Sequence, residues 1–548
     1  MNKKFTSAGT LITAVAVVFL ASLVLFLPSC KKDVFDSDQL AEGVYAPTWA
    51  LPVIYSDLSL QDMITHGDKN GVISIGPDKF CTLIYKGLLF SLPASSVVQL
   101  PNQSQPGYSV SLSATEIAAL QAAGTVTTTY TQTITFSPGI NNPEIDSIVF
   151  KAGSFDMLLN SSFTFSGQVK MTIPSLKLNG IPFSNTLSFP YVGNVPVNAS
   201  GKYPLAGYKM DLTKGGTTFN QFDVVYQVTL SGSGTPPTTS DNVFLFQSFT
   251  GMQYSYLFGY LGQVALSPDQ DTVNLSIFKN ALGNGTYTLV DPSVFVALSN
   301  SFGFPISASI SQLDGFNPPS NVYPITGSPS PLPINSPNFT QIGQTLAGSY
   351  SLTSTNSNIV SVINNTPKKI IYKINSQSNP AGPSHQNFIT DSSRFRVDMQ
   401  VNLPFWGTAQ DFSMEDTIDF KMDSALAENV EYLLFHIYNK NGFPIDVDMQ
   451  AYLIDSNYVK VDSLINPNQL ILKSAAINTA TGMVTTPTEK ILDITVDNAR
   501  LQKWKNVEQI ILRSTAATTN QAASDVKLYS YYNIIAKLGV KAKLKVKF

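Results

Sequence analysis

Groups able to do acid–base, nucleophilic or metal chemistry are scarce in this chain: three histidines and two cysteines among 548 residues. His66, His385 and His436 stand far apart, with no His-x-x-x-His and no His-Glu pair at metal-ligand spacing. His436 alternates with Leu434 and reads as a sheet residue, while Cys81 in an apolar segment reads as a small buried hydrophobe. Glu415-Asp416 with Asp419 is the densest acid cluster; paired-carboxylate chemistry would need two of them to face one sugar, and exposed acids ahead of a strand explain them equally. Asp269-Gln270-Asp271 offers oxygen donors at two positions, where calcium takes roughly six to eight. There is no Gly-x-Ser-x-Gly elbow, phosphate loop or Gly-rich dinucleotide turn. The expectation is a non-enzymatic protein with no cofactor and no metal.

The N-terminus carries the clearest functional signal. Met1-Asn2-Lys3-Lys4 is a short positive head, Leu11 to Leu27 run without a charge, and Pro28-Ser29-Cys30 follows. An apolar run of this length is short for a membrane span, which wants about 20 residues, and the Pro-Ser break suits a cleavage site. Leu27-Pro28-Ser29-Cys30 resembles a bacterial lipobox. That resemblance implies cleavage between Ser29 and Cys30, acylation of Cys30, and a membrane as partner through its acyl chains. Lys31-Lys32-Asp33 with Asp36, Ser37 and Asp38 then resembles the start of Bacteroidota lipoproteins displayed at the cell exterior. Asp followed by Ser or Thr and an aliphatic residue recurs at Ser147, Thr272, Thr417, Ser424 and Ser463. These triplets resemble the O-glycosylation sequon of Bacteroidota extracytoplasmic proteins; they also read as strand starts, where an Asp turn hands over to β-branched residues. Taken whole, the chain resembles the large, uncharacterised β-rich outer-membrane or surface lipoproteins of that group.

Composition bounds the class. Only 13% of residues are charged against 43% hydrophobic, and the net charge is −3. Neither an intrinsically disordered chain nor a nucleic-acid binder fits those values. The length leaves room for several domains.

Those residues must be carried by strands. Alternation is plain in Thr125–Thr135, Phe222–Leu230, Thr272–Phe278 and Ile491–Val496. Helices are few: Ser113-Ala-Thr-Glu116 is a capping box with Gly124 as stop, Asp497 caps a segment running to Trp504, and Asp57–Ile64 is a third short turn. The fold class is all-β, as multiple antiparallel sandwich-like domains with a few short helices. Turn-residue clusters divide the chain into a signal peptide (1–29), an acylated tether (30–45), an N-terminal domain (46–235), a middle domain in two parts (243–314 and 339–376) around a Pro-rich linker or loop (315–338), and a C-terminal domain (387–548).

Two segments repeat. Val294–Ile310 aligns without gaps on Leu433–Met449, each an alternating strand, an Asn-led turn, then Gly-Phe-Pro-Ile entering another strand, and Phe155–Met171 is a degenerate third copy. The expectation is one hairpin per domain, with the glycine supplying a positive φ. The pattern is similar to the small sandwich of the late-embryogenesis, water-stress type, implying an amphipathic sandwich. At the C-terminus Lys541, Lys543, Lys545 and Lys547 share one face of a strand. Three readings stand: lysines guarding an edge strand, contact with anionic headgroups, or the final strand of an outer-membrane barrel. Two functions follow. One is a binding or structural module for a glycan or envelope protein, with Trp49, Trp406 and Trp504 among the aromatic platforms; the other is a lipid-binding protein with an apolar groove between sheets. A carbohydrate-active enzyme is a remote third.

Overall fold

The computed structural model describes residues 44–67, 72–139, 141, 143–265, 267, 269–275, 285–422, 424–465 and 470–547. They are all-β, with antiparallel strand pairing throughout the sheets and a few short helices. The period-2 pattern dictates this directly: in Gln221–Ser231 the odd positions Val225, Gln227 and Thr229 face outward or half-outward, while Phe222, Val224, Tyr226, Val228 and Leu230 are buried. The capping box forms as expected, Ser113 accepting from the Glu116 N–H ahead of helix Ala114–Ala123, which Gly124 ends at φ +67°. Asp497 likewise caps Asn498–Trp504.

The strands build three sandwiches of one topology. The first comprises Gln103–Ser111, Thr125–Thr135, Glu144–Ser161, Ser166–Leu178, Ile181–Phe189, Val197–Pro204, Gln221–Ser231 and Asn242–Tyr260. Numbered one to eight, its strands pair in the orders 1-8-3-6 and 2-7-4-5, giving two four-stranded layers. That is the jelly-roll arrangement of two interlocked Greek keys. The second has Cys81–Pro93, Asp271–Asn274, Ser293–Asn300, Ile306–Asn317, Asn321–Pro324, Leu346–Leu352, Lys369–Ser378 and Arg394–Pro404 in the same two orders. The third repeats them with Thr48–Ser59, Phe412–Asp419, Val430–Asn441, Ile445–Ile454, Lys460–Ser463, Thr488–Asp497, Gln509–Thr518 and Asn533–Leu544.

The rolls are nested in sequence. The inner roll (103–260) is inserted between the first and second strands of the middle roll, and the middle roll between the first and second strands of the outer roll. Each roll therefore closes by pairing its first strand with its last: Val110 with Val243, Leu92 with Phe395, Ala50 with Lys541. Residues 231–242 join two strands of the inner roll, and the Pro-rich 315–338 joins the layers of the middle roll, so these turn clusters mark crossovers inside rolls rather than breaks between them. Inner and middle rolls touch through Tyr256–Phe258 paired with Phe388–Thr390, and middle and outer through Trp406–Gly407 paired with Val526–Lys527.

The repeated segment connects the third and fourth strands in every roll, and those strands lie in opposite layers. It is an arch over the end of the sandwich, correcting the hairpin expectation. Asn300 Oδ1 accepts the Phe302 N–H (2.9 Å), Asn441 Oδ1 the Phe443 N–H (2.8 Å), and in the third copy Ser161 Oγ the Phe163 N–H (3.3 Å). This side-chain turn drops a phenylalanine between the layers, where hairpin pairing would have left it outside. The arch glycine is required for close approach, since a Cβ on Gly303 would lie 2.1 Å from the Phe388 ring and one on Gly442 2.9 Å from the Asn533 carbonyl oxygen; neither has a positive φ.

Candidate functional site

In a sandwich strand with one face in water, consecutive apolar residues put side chains on the wrong side. Val243-Phe244-Leu245-Phe246 in the eighth strand of the inner roll does this: Val243 and Leu245 enter the core, while Phe244 and Phe246 stand on the exterior face, 5.8 Å apart between ring centroids. Phe246 is paired in register with Leu158 of the third strand, and the two side chains are 44% and 52% exposed. Next along the same face come Asp156 and Ser248, also a register pair, with Lys202 opposite Asp156 on the sixth strand.

Asp156, Leu158, Lys202, Phe246 and Ser248 line a groove of about 400 Å³ running along the third strand between walls from the sixth and eighth, with Phe244 beyond its end. A second hollow of about 370 Å³ continues it past Lys202, lined by Gly153, Ser154, Pro204, Thr250 and Gly251. The bulge after Thr250 bends the strand away there, Gly251 leaves open space where a side chain would stand, and Gly153 lets the eighth strand's backbone approach closely. Asp156 is held from one side only. Thr250 Oγ1 donates to its Oδ2 (2.7 Å) and shares a hydrogen bond with Ser154 (2.8 Å), while Oδ1 has no hydrogen-bond partner and lies 3.9 Å from the ammonium of Lys202. The arrangement is an aromatic and aliphatic platform beside a fixed acceptor and an exposed donor. The signal in the sequence was the four-residue apolar run, which the search for ionisable clusters passed over.

The expected sites fall elsewhere. Ser29 and Cys30 lie outside the described residues. Ser147 is half-buried within the strand Glu144–Ser161, and its neighbour Asp146 is held by the His385 Nδ1 at 3.0 Å. Thr272, Thr417 and Ser463 share one geometry on layer-edge strands: the preceding aspartate accepts their own N–H at 2.7, 2.9 and 2.8 Å, and Thr417 alone of the three is exposed. Ser424 opens the helix Ser424–Asn429, and its side chain lies outside the described set. Lys541 and Lys545 are exposed and Lys543 pairs with Glu431 at 2.9 Å. Lys547 lies in the short strand Val546–Lys547 that pairs with Val44–Tyr45. The strand Asn533–Leu544 is flanked on both sides, by Thr48–Ser59 and Val430–Asn441, so it is not a sheet edge, and it belongs to an open four-stranded layer rather than a closed barrel. Its lysines are tolerated because that face of the layer is solvated.

Among the described residues the remaining ionisable groups are taken up in local ion pairs. Glu415 is engaged by Arg513 (2.7 and 2.9 Å) on one face of its strand while Asp416 alternates to the other. His436 meets Asp493 at 2.6 Å, and His385 bridges Glu144 and Asp146, fastening a middle-roll loop to the inner roll. Burial, then the charge of Asp78, pushes the Cys81 thiol up to about 11. Among the described residues no group of three or more His, Cys, Asp or Glu could hold a metal ion, and no helix is long and apolar enough to cross a membrane.

The rolls differ in how fully they close. In the inner roll Phe249 packs edge-on against Phe136, Phe155 and Phe222, and in the middle roll the Tyr372 hydroxyl spans the layers to the Leu89 carbonyl. Side chains fill the space a lipid would need there. The outer roll gapes along its first strand, where Trp49, Leu51, Ile54 and Leu58 pair with core-side residues of Asn533–Leu544 yet stay more than a third exposed.

No protein-family model matches the chain, and no curated protein matches it. Among solved structures it is similar to a protein of Parabacteroides distasonis described as secreted, at 11% identity over 51% of this chain and 82% of that one, with a TM-score of 0.28. It is also similar to the VP2 subviral particle of infectious bursal disease virus, at 7% identity over 89% of this chain and 86% of that one, with a TM-score of 0.13.

Proposed function

We propose that this is a lipid-anchored, non-catalytic cell-envelope protein of the outer membrane that serves as a binding module, with acyl chains on Cys30 as its membrane attachment. The Leu27-Pro28-Ser29-Cys30 motif carries the reading, and the nested topology is compatible with it. Val44–Tyr45, about fourteen residues after Cys30, pair with Val546–Lys547 beside the outer roll, while the inner roll docks on the middle one through the start of its third strand and the end of its eighth. On this reading the outer roll lies at the anchored end, and the inner roll's Pro190–Pro196 and Phe163–Phe165 loops lie at the end of that roll away from its contact with the middle one.

The outer roll suits a lipid surface. Its open edge offers Trp49, Leu51 and Ile54 to the interface, while exposed Lys537 and Lys541 stand on the opposite, solvated face of the same layer, where only an edge-on approach brings them to anionic headgroups. Two or three acyl chains at about 0.8 kcal/mol per buried CH2 suffice for stable attachment. Growth with labelled palmitate tests the anchor: label in the wild type and none in Cys30→Ala is expected, and equal label in both refutes it.

A further inference from the structure

We infer that the exterior groove of the inner roll binds carbohydrate, taking internal units of a neutral polysaccharide chain. This rests on the reading of the protein as a binding module and names its ligand class. A pyranose presents one face of C–H bonds and a rim of hydroxyls. Phe246, Phe244 and Leu158 form an exposed platform of matching character, since the negative face of an aromatic ring attracts the weakly positive C–H face of a sugar. The polar partners lie beside the platform rather than around it. Asp156 Oδ1 has no hydrogen bond of its own and is closed to solvent beside Lys202; a carboxylate oxygen left without a donor is a costly feature that a ligand hydroxyl would relieve once Lys202 moves aside.

Lys202 lies over that oxygen at 3.9 Å, too far for a hydrogen bond, and its side chain is 74% exposed. Its arm is free to swing aside and donate to a second hydroxyl. Thr250 fixes the other carboxylate oxygen, so the acceptor is oriented before any ligand arrives. From Phe246 to Thr250 the strand spans about 13 Å, longer than one sugar ring, and the two hollows join at Lys202. A groove continuous in this way takes a chain along its length. Asp156 and Lys202 offset one another, which favours a neutral chain over an acidic one.

The test is affinity electrophoresis of the full-length, detergent-purified protein in native gels containing mixed-linkage β-glucan, xylan, mannan or, as an acidic comparison, polygalacturonate. Retardation by at least one neutral polysaccharide is expected, with the dissociation constant raised about tenfold in Phe246→Ala and in Asp156→Ala. Thr417→Ala, on the outer roll, should bind as the wild type does, and melting curves check that each variant is folded. Migration unaffected by all the neutral polymers, retardation by polygalacturonate alone, or retardation equal in wild type and in folded groove variants overturns the inference. Palmitate labelling of the same preparation is independent: label retained without carbohydrate binding leaves the tethered reading standing and removes this one.

Discussion

Nesting makes the three rolls depend on one another in one direction. The inner roll is a continuous stretch of chain, whereas the middle roll can pair its first strand with its eighth only if residues 93 and 271 are brought together across 177 intervening residues. A folded inner roll shortens that gap to the roughly 20 residues outside it; unfolded, it leaves the whole loop to be closed. Loop-closure entropy scales as (3/2)RT ln n, so the middle roll loses about 2 kcal/mol when the inner roll melts. Phe249→Ala supplies the perturbation. The ring is fully buried and packs edge-on against Phe136, Phe155 and Phe222, so its removal costs about 3–5 kcal/mol of inner-roll stability. Hydrogen exchange read by mass spectrometry should then show peptides of 103–260 losing most protection and Cys81–Pro93 and Arg394–Pro404 losing part of theirs. Trp504→Ala, in the outer core, should deprotect Val430–Asn441 and Thr488–Asp497 while leaving 103–260 unchanged. If Trp504→Ala deprotects the inner roll as strongly as Phe249→Ala deprotects the middle one, the dependence is not directional and the reasoning fails.

Other consequences are local. Asn441 is buried, accepts the Phe443 N–H and donates to the Ile445 and Lys473 carbonyls, so Asn441→Ala should cost about 2–3 kcal/mol in a denaturant melt, with Asn441→Asp recovering the turn but not the two donors. Cys81, its thiol pushed up to about 11, should resist a maleimide at pH 7.5 in the folded protein and react fully in denaturant; fast native labelling would contradict its burial. Desolvation raises the Asp462 carboxyl, but the Trp504 indole N–H, Arg500 and the Ser463 N–H outweigh it and hold it below the ordinary carboxylate value. Its stabilising contribution is therefore present above that ordinary value and is lost as pH falls through the lowered one, so Asp462→Asn should narrow the difference in melting temperature between pH 7 and pH 3.

The elements were legible where the code is local. Alternation in Thr125–Thr135, the Ser113–Glu116 box and the Asp497 cap all act within a few residues, and all formed as read. The Gly-Phe-Pro repeat was visible too, yet its geometry was not, because an Asn-led turn serves a hairpin and an arch alike until the layers are placed. Nesting was hidden for a related reason. Ala50 pairs with Lys541 and Leu92 with Phe395, and nothing in either segment names a partner hundreds of residues away. Lys541, Lys543 and Lys545 resembled an edge guard because the alternation reports which face meets water, not whether another strand lies alongside. The groove was missed since Asp156, Lys202 and Phe246 meet only through register, although the unbroken Val243–Phe246 run already required aromatics on the outer face.

If acyl chains on Cys30 hold the outer roll at the membrane, the inner roll lies away from it. Energy transfer from single dye labels to acceptor lipids in proteoliposomes measures this directly, with Cys81 too deeply buried to compete for the dye. Val53→Cys lies on the outer roll's exposed first strand, and Val192→Cys, at a position 81% exposed, lies in a loop at the end of the inner roll opposite its contact with the middle roll. Strong transfer from position 53 and weak transfer from position 192 is the predicted result. Equal transfer, or stronger transfer from position 192, would contradict it.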